Sequence, residues 1–302
     1  AFAASPPEQP LEGPGGQDYF HNKVIKSKYG MGPSGYYIFE PGDPRPDTAP
    51  LIILIHGFTA VTPSAYEAWI DHLVKKGNIV VYPVYQFIID ASHRFPKNTI
   101  NATLSAIEEL QTGDHVRPDL DRFAAVGHSM GGILAADLAA LAEESGLPMV
   151  KAVMSVQPGV SPMPPMADLS KIPADTLLLS VVGDADIIAR TKDAKKIYRE
   201  STQVPPENKD YIIMSSDRNG RSSLLADHFA PVCIGTLGGH MPMFGVDALD
   251  YYCLWKLFDA LTDAAFYGLN REYALGNTPE QRYMGEWSDG TPVKEMIVTD
   301  NP

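Results

Sequence analysis

From about His21 onward the chain alternates between two kinds of pattern. Short apolar runs recur: LIILI (Leu51–Ile55), NIVVYPVY (Asn78–Tyr85), FAAV (Phe123–Val126), KAVMSV (Lys151–Val156), TLLLSVV (Thr176–Val182) and YIIM (Tyr211–Met214). Polar residues do not alternate through them. Strands buried on both faces of a parallel sheet read this way, because each face meets a core. Helical periods lie between most of the runs. SAYEAWIDHLVKKG sets Tyr66, Trp69, Ile70 and Leu73 on one face and stops at Gly77. NATLSAIEELQTG, GGILAADLAALAEESG and RTKDAKKIYRE follow. DALDYYCLWKLFDALTDAAFYG carries a broad apolar face that includes Leu249, Tyr252, Trp255, Phe258 and Leu261. Strands alternating with helices predict an α/β fold around a parallel sheet. NKVIKSKY and GYYIFEP alternate instead, which predicts an opening antiparallel pair, and VKEMIVT predicts a strand in the tail.

No repeat and no linker interrupts residues 21–265, so residues 21–302 read as a single domain with a C-terminal extension from about residue 266. Residues 1–20 are rich in Pro and Gly, which predicts a mobile, unpacked segment. The composition fits a globular chain: 302 residues, 44% apolar and 20% charged. Net charge is −13, from 24 basic and 37 acidic side chains, which opposes binding to nucleic acid or an anionic membrane. No apolar run approaches the roughly 18 residues of a membrane span. Cys233 and Cys253 lack the spacing of a metal site; one disulfide and two buried thiols both remain open. Ala1-Phe2-Ala3 has the A-x-A form of a signal-peptidase site, which predicts a secreted or periplasmic protein.

The chemistry concentrates in FAAVGHSMGGILAADLAALA. A buried strand runs into G-x-S-x-G (Gly127, His128, Ser129, Met130, Gly131) and then into a helix, the context of a nucleophile elbow. A tight turn lifts the Ser129 hydroxyl above the sheet, and the helix start offers free N–H groups to an oxyanion. Serine needs a base, and the chain order of this arrangement is Ser…Asp…His. That order removes His21, His56, His72, His93 and His115. His56 reads as a structural hydrogen-bonder and His128 as a packed polar residue. The Met130 amide follows the nucleophile directly. The Phe58 amide follows the first parallel strand in LIILIHGFTA, so these two are the expected oxyanion donors. The acid lies in LLLSVVGDADIIAR: the fourth residue of G-x-x-D projects toward the site, which favours Asp186 and leaves Asp184 to cap the turn. Both His228 and His240 follow the last long strand and satisfy the order.

HGFTA, GHSMGG and GDADIIA resemble the bacterial cutinase and polyester-hydrolase branch of the α/β-hydrolases. Dienelactone-hydrolase-like and chlorophyllase-like esterases are related to that branch. The likeness spans roughly residues 35–265. It implies the α/β-hydrolase fold, a mostly parallel eight-stranded sheet flanked by helices. It implies a secreted carboxylic-ester hydrolase using Ser129, Asp186, a histidine and the Phe58 and Met130 amides, with no cofactor and no metal. ADHFAP followed by DALDYYCLWKLFDALTDAAFYG resembles a set of secreted bacterial α/β-hydrolases in which the segment between is a variable insert. On that likeness His228 is the base and His240 belongs to the insert. The chain departs from the cutinases at SVQPGVSPMPPM, where Gly159 stands in place of a tryptophan. Met163 and Met166 would line a soft apolar pocket there or belong to a Pro-rich surface loop. The expected substrate is a small or polymeric ester. Polyester hydrolase, lipase, thioesterase or amidase, and a non-catalytic ligand-binding relative are the alternatives.

Overall fold

An antiparallel pair, β1 (Lys23–Tyr29) and β2 (Gly35–Gly42), opens the sheet. There follow β3 (Thr48–Ile55), α1 (Glu67–Lys75), β4 (Ile79–Val84), α2 (Phe95–Thr112), β5 (Arg117–His128), α3 (Met130–Ser145) and β6 (Ala152–Val156). Then come β7 (Leu177–Gly183), α4 (Lys192–Glu200), β8 (Lys209–Met214) and a small hairpin of β9 (Asp217–Asn219) with β10 (Ser222–Leu224). A π-helical stretch, Asp250–Trp255, leads into α5 (Lys256–Tyr267), and α6 (Pro279–Arg282) and β11 (Ile297–Thr299) close the chain. This computed structural model describes residues 4–87, 91–159, 166–233 and 245–302. Met163 and His240 therefore lie outside the described residues.

Nine strands of the described residues form one sheet in the order β1-β2-β4-β3-β5-β6-β7-β8-β11. The six from β4 to β8 pair in parallel; β2 and β11 join them antiparallel. The fold is that of an α/β-hydrolase, and the tail strand β11 extends the expected eight strands to nine. The lack of alternation in the apolar runs has a direct cause. Along β3, Leu51, Ile53 and Ile55 enter one core with α2 and α3, while Ile52 and Leu54 enter the other with α1 and α5. Helix α3 is buried along most of its length, which fits its Ala-rich, almost uncharged first turns.

Residues 4–20 are packed, against the expectation of an unpacked segment. The Ser5 amide donates to Ser288 Oγ at 2.8 Å and the Ser288 amide returns to the Ser5 carbonyl at 3.0 Å. Gly15 N–H donates to the buried Asp259 carboxylate at 2.8 Å. Ala4 enters the same apolar core as Met284 and Trp287. Composition misled because the partners lie far along the chain. Cys233 and Cys253 are both free and buried. Burial pushes each thiol up to about 12. Among the described residues no helix is long and apolar enough to cross a membrane.

Candidate active site

Strand β5 ends at His128 and α3 begins at Met130, which leaves Ser129 alone in the turn with φ 57° and ψ −120°. A non-glycine residue adopts this backbone only under strain that its surroundings hold in place. The glycines of the motif explain how. A Cβ on Gly127 would lie 2.0 Å from the Gly131 carbonyl oxygen, and one on Gly131 would lie 2.0 Å from that of Ile55. The first contact closes the turn on itself; the second seats it on the end of β3.

Three side chains from three strand ends meet above this turn. Asp186 follows β7, His228 follows the β9–β10 hairpin, and Ser129 stands at the elbow. His228 Nδ1 lies 2.8 Å from Asp186 Oδ2, and His228 Nε2 lies 3.0 Å from Ser129 Oγ. A carboxylate only accepts, so Nδ1 carries the proton and Nε2 faces the serine with its lone pair. The Ser129 hydroxyl has one proton and two acceptors, His228 Nε2 and the Gly159 carbonyl at 3.2 Å. Asp186 Oδ1 accepts from the amides of Ile188 at 2.8 Å and Ala189 at 2.9 Å. Burial raises the Asp186 carboxyl, but the hydrogen bond and charge of His228 and these two amides outweigh it. The net pKa lies below the ordinary carboxylate value. The carboxylate therefore stays ionised where a histidine proton must be held.

Asp184 lies apart from this group. Its oxygens accept from Ser216 N at 2.9 Å and Ser216 Oγ at 2.5 Å, which ties the turn after β7 to the segment after β8. The expected self-capping is thus a cross-strand tie. Gly57, the residue before Phe58, faces the elbow: a Cβ there would lie 3.4 Å from Ser129 Cβ. Among the described residues neither the Phe58 nor the Met130 amide has a hydrogen-bond acceptor. The Phe58 ring stands half exposed at the rim, 6.5 Å from Phe95.

The remaining predicted positions resolve simply. His56 is buried, stacked 4.2 Å from Tyr85, with Nδ1 donating to the Gly57 carbonyl at 2.7 Å. Burial outweighs that bond and brings its pKa down to about 4. His128 is buried too, with both ring nitrogens engaged. Met166 is partly buried and packs against the core that α3 enters. At Gly159 φ is 141°, and a Cβ would lie 3.0 Å from Asp193 Oδ2 and 3.3 Å from Ala189 Cβ. No aromatic platform can stand on this backbone without moving it.

Two contributors have no signature in the sequence. Gln157 has φ 44° and its Nε2 donates to the Asp227 carbonyl at 2.6 Å, which holds the histidine loop to the end of β6. Tyr66 reads as one apolar position of a helix, yet its hydroxyl accepts from Gly57 N at 3.0 Å and reaches His128 Nδ1 at 2.8 Å. No metal-binding group of three or more His, Cys, Asp or Glu occurs among the described residues. The sequence model of one protein family, chlorophyllase, matches residues 18–169, half of the chain. No curated protein matches it.

Proposed function

The chain belongs to the chlorophyllase family, and from that premise we propose that it is a serine hydrolase of carboxylic esters. One observation supports the reading above all: Asp186, His228 and Ser129 form a continuous hydrogen-bonded line ending on a strained elbow. In the proposed reaction His228 Nε2 takes the Ser129 proton as Oγ attacks the ester carbonyl. The Asp186 carboxylate holds the imidazolium that results. The tetrahedral oxyanion accepts hydrogen bonds from the Phe58 and Met130 amides. The alcohol leaves with the proton from His228, and water then hydrolyses the acyl-enzyme by the same base.

A fluorophosphonate should label Ser129, found by peptide mapping, and Ser129→Ala should take up none. Hydrolysis of a p-nitrophenyl ester series should vanish in His228→Ala and persist in His240→Ala. Absence of label at Ser129 would sink the enzyme reading and leave a ligand-binding relative. The reverse histidine pattern would move the base to His240. Parallel thioester and anilide substrates separate an esterase from a thioesterase or amidase. The backbone at Gly159 speaks against the polyester alternative, which depends on an aromatic surface there.

A further inference from the structure

The two halves of the site, oxyanion loop and base, come from opposite sides of the elbow. One buried side-chain chain joins them. The Tyr66 hydroxyl accepts from Gly57 N–H at 3.0 Å and lies 2.8 Å from His128 Nδ1. His128 Nε2 lies 2.9 Å from the backbone carbonyl of His228. The carbonyl only accepts, so Nε2 carries the proton and Nδ1 accepts from Tyr66. Every donor in the line then has one acceptor: Gly57 N–H to Tyr66 O, Tyr66 O–H to His128 Nδ1, His128 Nε2–H to the His228 carbonyl. Tyr66 and His128 are only 1% and 4% exposed, so water cannot substitute for a lost partner cheaply.

Resting on the esterase reading above, we propose that Tyr66 and His128 are positioning residues that couple the oxyanion loop to the catalytic base. Tyr66 fixes Gly57, and thereby the direction of the Phe58 amide. His128 fixes the backbone of His228, whose imidazole must keep Nε2 at 3.0 Å from Ser129 Oγ. The line also restricts charge. A protonated His128 would put a second donor on the Tyr66 oxygen and displace the phenolic proton. It would also stand beside His228, with ring centroids 4.8 Å apart, when that ring becomes an imidazolium. Burial first, and the nearby His228 second, bring His128 down to about 3, which keeps it neutral. Tyr66, in the turn before α1, is thereby the only side chain among the described residues that hydrogen-bonds to both the Gly57 loop and the elbow.

The test uses the full chain with Tyr66→Phe, His128→Phe and His128→Gln. Glutamine offers a donor group at one end of its amide and an acceptor at the other, as the two ring nitrogens of the neutral imidazole do. Each phenylalanine variant should lose roughly 10- to 100-fold in kcat with little change in KM, the loss that a displacement of up to about 1 Å produces. His128→Gln should recover most of it. Tyr66→Phe should weaken an alkylboronic acid, whose tetrahedral Ser129 adduct uses the oxyanion donors, more than it weakens a substrate. The double Phe variant should lose less than the product of the single losses, since both break one line. Wild-type kcat with a lowered Tm in the phenylalanine variants would overturn the proposal and leave a purely structural role. So would strictly multiplicative losses, or no recovery in a folded His128→Gln. Failure of Ser129 to label in the unmodified protein would instead overturn the esterase reading itself.

Discussion

Gly183 has no side chain because the histidine loop occupies the space. A Cβ there would lie 2.0 Å from the Ala226 carbonyl oxygen and 2.7 Å from Gln157 Nε2. Ala226 precedes His228 by two residues and Gln157 clamps the carbonyl of Asp227 between them. Gly183→Ala should therefore push the loop outward, stretch the 3.0 Å contact of His228 with Ser129, and lower kcat by about 100-fold. Steady-state kinetics beside circular dichroism checks this; a folded variant with wild-type kcat would mean the loop is not held by that contact. The same residues define what the sequence could disclose. Ser129 and Asp186 were legible as candidates because their neighbours are forced: an elbow needs Gly127 and Gly131, and a candidate acid is expected at a strand end. His228 was legible only through likeness, since topology admits His240 equally. Tyr66 and Gln157 were not legible at all. Each reaches a group far along the chain, Tyr66 the His128 ring and Gln157 the Asp227 carbonyl, and an apolar period or a single Gln carries no trace of that.

Helix α3 shows a different reason for partial legibility. Its sequence reads only as a helix; the helix is buried along most of its length, and Asp137 sits inside it at 2% exposure. Asp137 Oδ1 accepts from Ala167 N at 2.8 Å and so anchors the segment before β7. Burial raises its carboxyl to about 6, against smaller opposing effects of that amide and of Lys196. The folded protein thus holds this proton more tightly than the unfolded chain does. The associated stability is complete below the ordinary value of 3.8 and is lost as pH rises through about 6. Asp137→Asn keeps an acceptor for the Ala167 amide and mimics the protonated acid. It should be more stable than wild type at pH 8 by about 2–3 kcal/mol, with the difference shrinking toward zero near pH 4. Urea denaturation at both pH values measures it, and equal midpoints at pH 8 would refute the buried-charge argument. The strands needed no such correction, because a two-sided core leaves a continuous apolar run. The π-helical start of α5 left no periodic signal, since Asp250–Trp255 is as apolar and aromatic as the helix it enters.

The ends of the chain fold onto each other, and this is where local sequence reading failed most. Pro and Gly in residues 4–20 suggest a free segment only if nothing distant fixes them. Here a long-range set of contacts does: Ser5 with Ser288, Gly15 with Asp259, and Lys76 Nζ with the Gly13 carbonyl at 3.1 Å. Asp259 also holds His72 at 2.8 Å, and His72 Nδ1 lies 3.1 Å from the Tyr19 hydroxyl. The segment thereby bridges α1, α5 and the tail on the side of the sheet that α1 and α5 cover. Among the described residues none of its hydrogen bonds reaches Ser129, Asp186 or His228. Removing residues 1–16 should then leave kcat unchanged while costing stability. The lost bonds to the body contribute about 1 kcal/mol each, so the expected fall in Tm is on the order of 10 °C for a domain of this size. A calorimetric scan of the truncated and full chains decides it. An unchanged Tm would mean the contacts are too exposed to matter, whereas a fall in kcat would mean that order at the base of the sheet is transmitted to the strand ends that carry the site.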